Sequence, residues 1–147
     1  MKTLVLIFLG LLSTISYADE QFKAGSYVSD ITPTKLPALI NGGFAPKYFD
    51  KVKSPLSARC LVLQKGEVKI ALAVLDLCII DKSLLDPIKE RIEKEIGIPK
   101  NRIMISTTHT HSAPGAKGRN STQEYKNLLK DKIFEGIVEA HKLLKPA

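Results

Sequence analysis

Two of the three histidines in this 147-residue chain stand two residues apart, in Thr108-His109-Thr110-His111-Ser112-Ala113-Pro114-Gly115. An apolar run over residues 102–107 precedes them and reads as a β-strand. In extended backbone, residues i and i+2 project from one face, with Cα atoms roughly 6.5 Å apart. Imidazoles so placed can converge on one metal ion, or one can bind metal while the other meets a substrate. Pro114 and Gly115 then stop the strand and turn the chain. Chemistry-bearing groups on a loop at the end of a strand, held by a rigid scaffold, are a common site arrangement.

The elements that must position this segment can be read along the chain. Residues 22–31 read as a strand, followed by a long stretch, 32–56, carrying Pro33, Pro37, Pro46, Pro55 and the pair Gly42-Gly43. Connections longer than about 12–15 residues inside a domain are usually functional or disordered. Leu36, Leu39, Ile40, Phe44, Tyr48 and Phe49 argue against disorder, so this is expected to be a site-lining loop. A hairpin follows, with strand 58–64, a Lys65-Gly66 turn and strand 67–76. The second of these strands is almost continuously apolar, the pattern of a strand covered on both faces. Leu84, Ile88, Ile92 and Ile96 at spacing four predict an amphipathic helix over 83–96, with Pro87 in its first turn and Gly97 as its stop. After strand 102–107, Ser121-Thr122-Gln123-Glu124 reads as a capping box. It opens a helix to about Leu144 with Tyr125, Leu129, Ile133 and Ile137 inward. His141 continues that spacing and is left out of the site.

This order predicts an α/β fold, a layered sheet with helices packed on it, containing a parallel, right-handed β-α-β unit over 67–107. Ligands in such sheets gather beyond the carboxyl ends of the strands. Asp76 stands at one such end, with His109 and His111 past the other.

Composition narrows the class. Hydrophobic content of 44% with 25% charged residues suits a globular domain and argues against disorder. Met1-Lys2, an apolar stretch over 4–12 and the ending Ser16-Tyr17-Ala18 predict a signal peptide over residues 1–18, hence a secreted or periplasmic protein starting at Asp19. Cleavage removes one lysine and no acid, taking the net charge from +7 to +6. The lysines are dispersed rather than run together, which argues against a nucleic-acid partner and reads as a solvated basic face. Such a face could touch an anionic membrane surface. Cys60 and Cys78 lie in apolar runs; an oxidising compartment permits a disulfide, and two buried free thiols fit equally well.

Four blocks, in order, resemble the N-terminal part of the neutral/alkaline non-lysosomal ceramidases. They are 24–32 (AGSYVSDIT), Asn41-Gly42-Gly43-Phe44, the apolar runs 58–63 and 74–81, and 106–115 (STTHTHSAPG). The last is similar to the family signature T-H-T-H-S-G-P-G, with alanine at position 113. The resemblance implies an exported Zn²⁺ amidase that cleaves the N-acyl bond of ceramide, with a hydrophobic cleft for lipid chains. It implies His109 as zinc ligand, His111 in substrate binding and transition-state stabilisation, and Gly43 as a substrate contact. Asp76 matches a recurrent acid, assigned at most to the surroundings of the metal. Family members draw further zinc ligands and their nucleophile from sequence beyond the equivalent of Ala147. Residues 19–147 are therefore expected to be the N-terminal portion of a ceramidase-like catalytic domain, inactive alone. A reading of a different class is a non-catalytic secreted module that packs against a partner.

Overall fold

The structure, a computed structural model, describes residues 20–117 and 121–147. The signal-peptide segment lies outside the described residues. Among the described residues, no helix is long and apolar enough to cross a membrane.

Among the described residues, seven strands and two α-helices follow in the order β1 (Phe22–Asp30), β2 (Ala38–Ile40), β3 (Lys47–Phe49), β4 (Ser57–Lys65), β5 (Val68–Leu75), α1 (Lys82–Ile96), β6 (Ile103–Thr107), α2 (Gln123–Lys142) and β7 (Lys145–Pro146), with a short 3-10 turn, Lys100–Arg102, before β6. Five of the strands form one sheet in the order β6-β5-β4-β1-β7. β1, β4 and β5 pair antiparallel, while β5 and β6 pair parallel across the crossover through α1. The expected α/β layering and parallel β-α-β unit are both present. The stretch 32–56 is less irregular than expected, since β2 and β3 pair as a small separate hairpin.

Cross-strand register sorts the sheet residues into two faces. Gly25, Val62, Ala71 and Ile103 form one row, and Tyr27, Cys60, Ala73 and Ile105 the next. This face carries the helices, and the core lies between: Ile133, Ile137, Leu129, Ile92 and Ile88 are buried against Val62, Ala71, Ala73 and Leu75. Small strand residues let α2 approach closely. A Cβ on Gly136 would stand 2.6 Å from Ser29 Oγ and 2.8 Å from Cys60 Sγ, and one on Gly25 would run into the Ala140 carbonyl. Burial pushes the Cys60 thiol up to about 12, so it packs here as a small apolar group.

The opposite face presents Ser26, Leu61, Leu72 and Met104 in one row, with Val28, Arg59, Val74 and Ser106 beside it. Val28, Val74, Ile70 and Met104 are exposed. Strand β5 is thus covered on one face among the described residues, where its continuous apolar run predicted two.

The helix ends differ slightly from expectation. Asp81 caps α1, its carboxylate accepting from Ser83 N, and Gly97 closes it in the left-handed region at φ 69°. That earlier start puts Pro87 in the second turn, on the exposed side. The cap of α2 is Thr122, which accepts from Tyr125 N at 3.2 Å. The expected box from Ser121 to Glu124 does not form, because the hydroxyl one residue later takes the capping position. Both cysteines are free and buried.

Candidate functional site

Beyond the carboxyl ends of β5 and β6, the two following loops run side by side. Cys78 N donates to Pro114 O (3.3 Å), Asp81 N to Ala116 O (3.0 Å) and Ala116 N to Ile79 O (2.6 Å). A third segment joins them: Asn41 N donates to Ala113 O (3.1 Å), and the Asn41 amide packs on Gly115, where a Cβ would collide with it. Pro114, Gly115 and Ala116 are buried in this seam. The substituted residue of the signature, Ala113, is buried as well.

His109 and His111 meet here, by a route the strand reading did not foresee. Strand β6 ends at Thr107, and His109 takes φ 59°, the left-handed region seldom used by residues other than glycine. The chain therefore turns at His109. Its two imidazoles converge through that turn, with ring centroids 5.0 Å apart and planes at 71°. Strain of this kind persists where the surroundings over-determine it, and two contacts do so. His109 Nδ1 lies 2.8 Å from the Cys78 carbonyl, and Thr108 N donates to Leu75 O at 2.9 Å.

A carbonyl only accepts, so His109 Nδ1 is the donor in this contact, and the neutral ring keeps its lone pair on Nε2. Fixing one ring nitrogen on a carbonyl in this way is the usual preparation of a metal-binding histidine. That Nε2 stands 3.3 Å from His111 Nε2, within hydrogen-bond reach. In a tetrahedral zinc site with Zn–N near 2.0–2.1 Å, two ligand nitrogens stand about 3.3–3.4 Å apart. Both the separation and the donor chemistry fit such an ion. Behind them lies the Cys78 thiol. Sγ and one ring nitrogen from each histidine all fall within 4.8 Å of one another, with the cysteine buried and both histidines exposed.

The other expected residues separate. Gly42, at φ 98°, packs on the His111 ring, where a Cβ would stand 2.6 Å away. Gly43 is one residue further out and exposed, with only the Ala45 carbonyl near its Cβ position. Asp76 faces the β4 side: its carboxylate accepts from Ser57 N (3.0 Å) and pairs with Arg59 (2.7 Å). With both oxygens engaged, it stands outside the thiol–imidazole cluster. The sequence reading missed Gly42, for which the only sign was the glycine pair, and Cys78, whose apolar neighbours spoke for burial alone.

Thr108, Thr110, Ser112 and Asp76 line a cleft of about 850 Å³ closed on the far side by residues 47–56. Its walls are mixed. Ile40, Phe49, Val52 and Leu56 alternate with Lys47, Lys51 and Lys53. The segment 32–56 therefore lines a cleft beside the histidine loop, although Cys78, His109 and His111 are not among its lining residues. A smaller cavity of about 320 Å³ lies against Pro114 and Tyr125.

No family model matches the chain, and no curated protein matches it. Solved structures do. The neutral ceramidase from Pseudomonas aeruginosa superposes with a TM-score of 0.74 at 20% identity, over 87% of this chain and 22% of that one. A ceramidase complexed with C2 gives 0.69 at 20% identity, with the same coverage. This chain has the fold of a part of neutral ceramidase. It spans about a fifth of the length of the ceramidase chains it matches.

Proposed function

We propose that this chain forms part of a zinc-dependent, ceramidase-like amidohydrolase, exported to the periplasm or the medium, that cleaves the N-acyl bond of ceramide or a related N-acyl lipid. The observation that carries this reading is His109 at the strand ends of a neutral-ceramidase fold, its Nδ1 fixed on the Cys78 carbonyl and its Nε2 facing His111 3.3 Å away. The sequence resemblance over residues 106–115 points the same way.

A Zn²⁺ held through His109 would supply Lewis acidity at the scissile amide. The chain's residues do the rest. The Cys78 carbonyl engages His109 Nδ1, leaving Nε2 as the nitrogen that would hold the ion. His111, exposed beside it, can donate a hydrogen bond to an acyl oxygen as it gains negative charge. Gly42 leaves the space in which the His111 ring lies. The hydroxyl-lined cleft beside them offers its apolar patches, Ile40, Phe49 and Leu56, to an acyl chain. A non-catalytic module that packs against a partner would draw on the open apolar sheet face, but it leaves the oriented imidazoles without a purpose.

In the intact protein carrying this chain, His109→Ala should remove stoichiometric zinc. His111→Ala should keep most of the metal and lower kcat by about 10²–10³-fold, the usual loss for a single oxyanion donor. Metal analysis alongside hydrolysis of a fluorescent N-acyl sphingosine checks both. Full zinc and full turnover in His109→Ala would end this reading.

A further inference from the structure

We infer that Cys78 is a metal ligand, so that this chain carries a sulfur-containing site of its own, in which the Cys78 thiolate joins the His109 imidazole and His111 is an exchangeable third donor. The inference rests on the metal reading above for His109 and adds the thiolate, which neither the signature nor the ceramidase resemblance requires.

Three observations support it. One ligating atom from each of the three residues lies within 4.8 Å of the other two, close enough for modest side-chain rotation to bring them round one ion, given Zn–S near 2.3 Å and Zn–N near 2.0–2.1 Å. Cys78 has its backbone fixed on both sides: its N–H donates to Pro114 O, and its carbonyl accepts from His109 Nδ1 and from Thr107 Oγ1 (3.4 Å). The residue that orients His109 is thus the one that presents the sulfur, so thiol and imidazole approach as a unit. The loop geometry also assigns unequal roles. Cys78 and His109 are the fixed pair. His111, whose ring has His109 as its polar partner, is the exchangeable third donor, free to turn toward an acyl oxygen. Ligation displaces the thiol proton, and a soft thiolate beside two imidazoles suits Zn²⁺ and its spectroscopic substitute Co²⁺ over hard oxygen-seeking cations.

The test is cobalt titration of the purified chain under reducing conditions, followed by absorption spectroscopy. The wild-type chain should bind one Co²⁺ with a thiolate-to-metal charge-transfer band in the near ultraviolet. Cys78→Ser should lose that band and bind more than about 100-fold more weakly, beyond the 10–100-fold typical of changes outside the ligand set. Circular dichroism should show that it retains its fold. Saturation of the wild-type chain without the charge-transfer band overturns the inference by itself, whatever the variant does. Absence of any cobalt binding also overturns it. Neither outcome touches the hydrolase reading, which is decided separately by zinc content of the intact protein and its His109→Ala variant.

Discussion

The two faces of the sheet are built from the same three central strands, yet they are composed differently. Toward the helices the strands offer Gly25, Ser29, Ala58, Cys60, Ala71 and Ala73, mostly small, and the bulk comes from Ile133, Ile137 and Leu129 on α2. Away from the helices they offer Leu61, Leu63, Ile70, Leu72 and Val74, mostly large, continued by Met104 on β6. Hydrophobicity therefore does not decide which side is interior. Size does: small residues admit a helix backbone at close range, and large ones leave a broad apolar surface. An exposed apolar patch of this kind ordinarily marks a surface that binds something.

The difference is sharpest under truncation. Ile133→Ala, in the fully buried layer, should cost about 2–5 kcal/mol in urea unfolding, the range for emptying a packed position. The matching removal on the open face, Met104→Ala, should change stability by no more than about 0.5 kcal/mol, as for surface positions away from special contacts. Equal losses for the two would mean that the open face is sealed in solution. The smallest effect lies at the carboxyl end of β1. Hydrogen bonds from the Thr32 side chain and backbone hold the Asp30 carboxyl below its ordinary value. A depressed folded value stabilises above the unfolded pKa near 3.9, and that contribution is lost as pH falls through the folded value. Asp30→Asn should therefore narrow the stability gap between pH 6 and pH 2 slightly, as read from thermal melts. A wider gap would contradict the sign.

Most of the fold was legible because each element carries its own periodicity. The four-residue spacing from Leu84 to Ile92 and the stripe from Tyr125 to Ile137 are local statements, and both are buried as expected. The one-sided cover of β5 was not legible, because an unbroken apolar run contains two alternating sets and does not say which of them meets a helix. Strand β7 was missed because Lys145–Pro146 pairs with β1 only across the whole chain. At the site, His109 and His111 announced themselves through spacing, but for a reason that proved incidental. They meet through a left-handed turn rather than through strand alternation. Cys78 and Gly42 act through backbone partners and clearance, which residue type does not disclose. Asp76 was placed at the right strand end, but nothing in the sequence showed that Arg59 and Ser57 would occupy its carboxylate.

The stitching of the two site loops has a consequence for how this protein can tolerate change in length. Ile80 and Ala116 form a parallel bridge beyond the strands proper, so the loops behave as a frayed continuation of the β5–β6 pairing. Surface loops generally absorb insertions at little cost. Here one extra residue between Cys78 and Asp81 would slide every rung against the other loop. It would move the sulfur away from the imidazoles and pull the Asp81 cap off α1. Descendants of this sequence should accumulate insertions and deletions freely in residues 50–54 and almost never in residues 76–81 or 109–116.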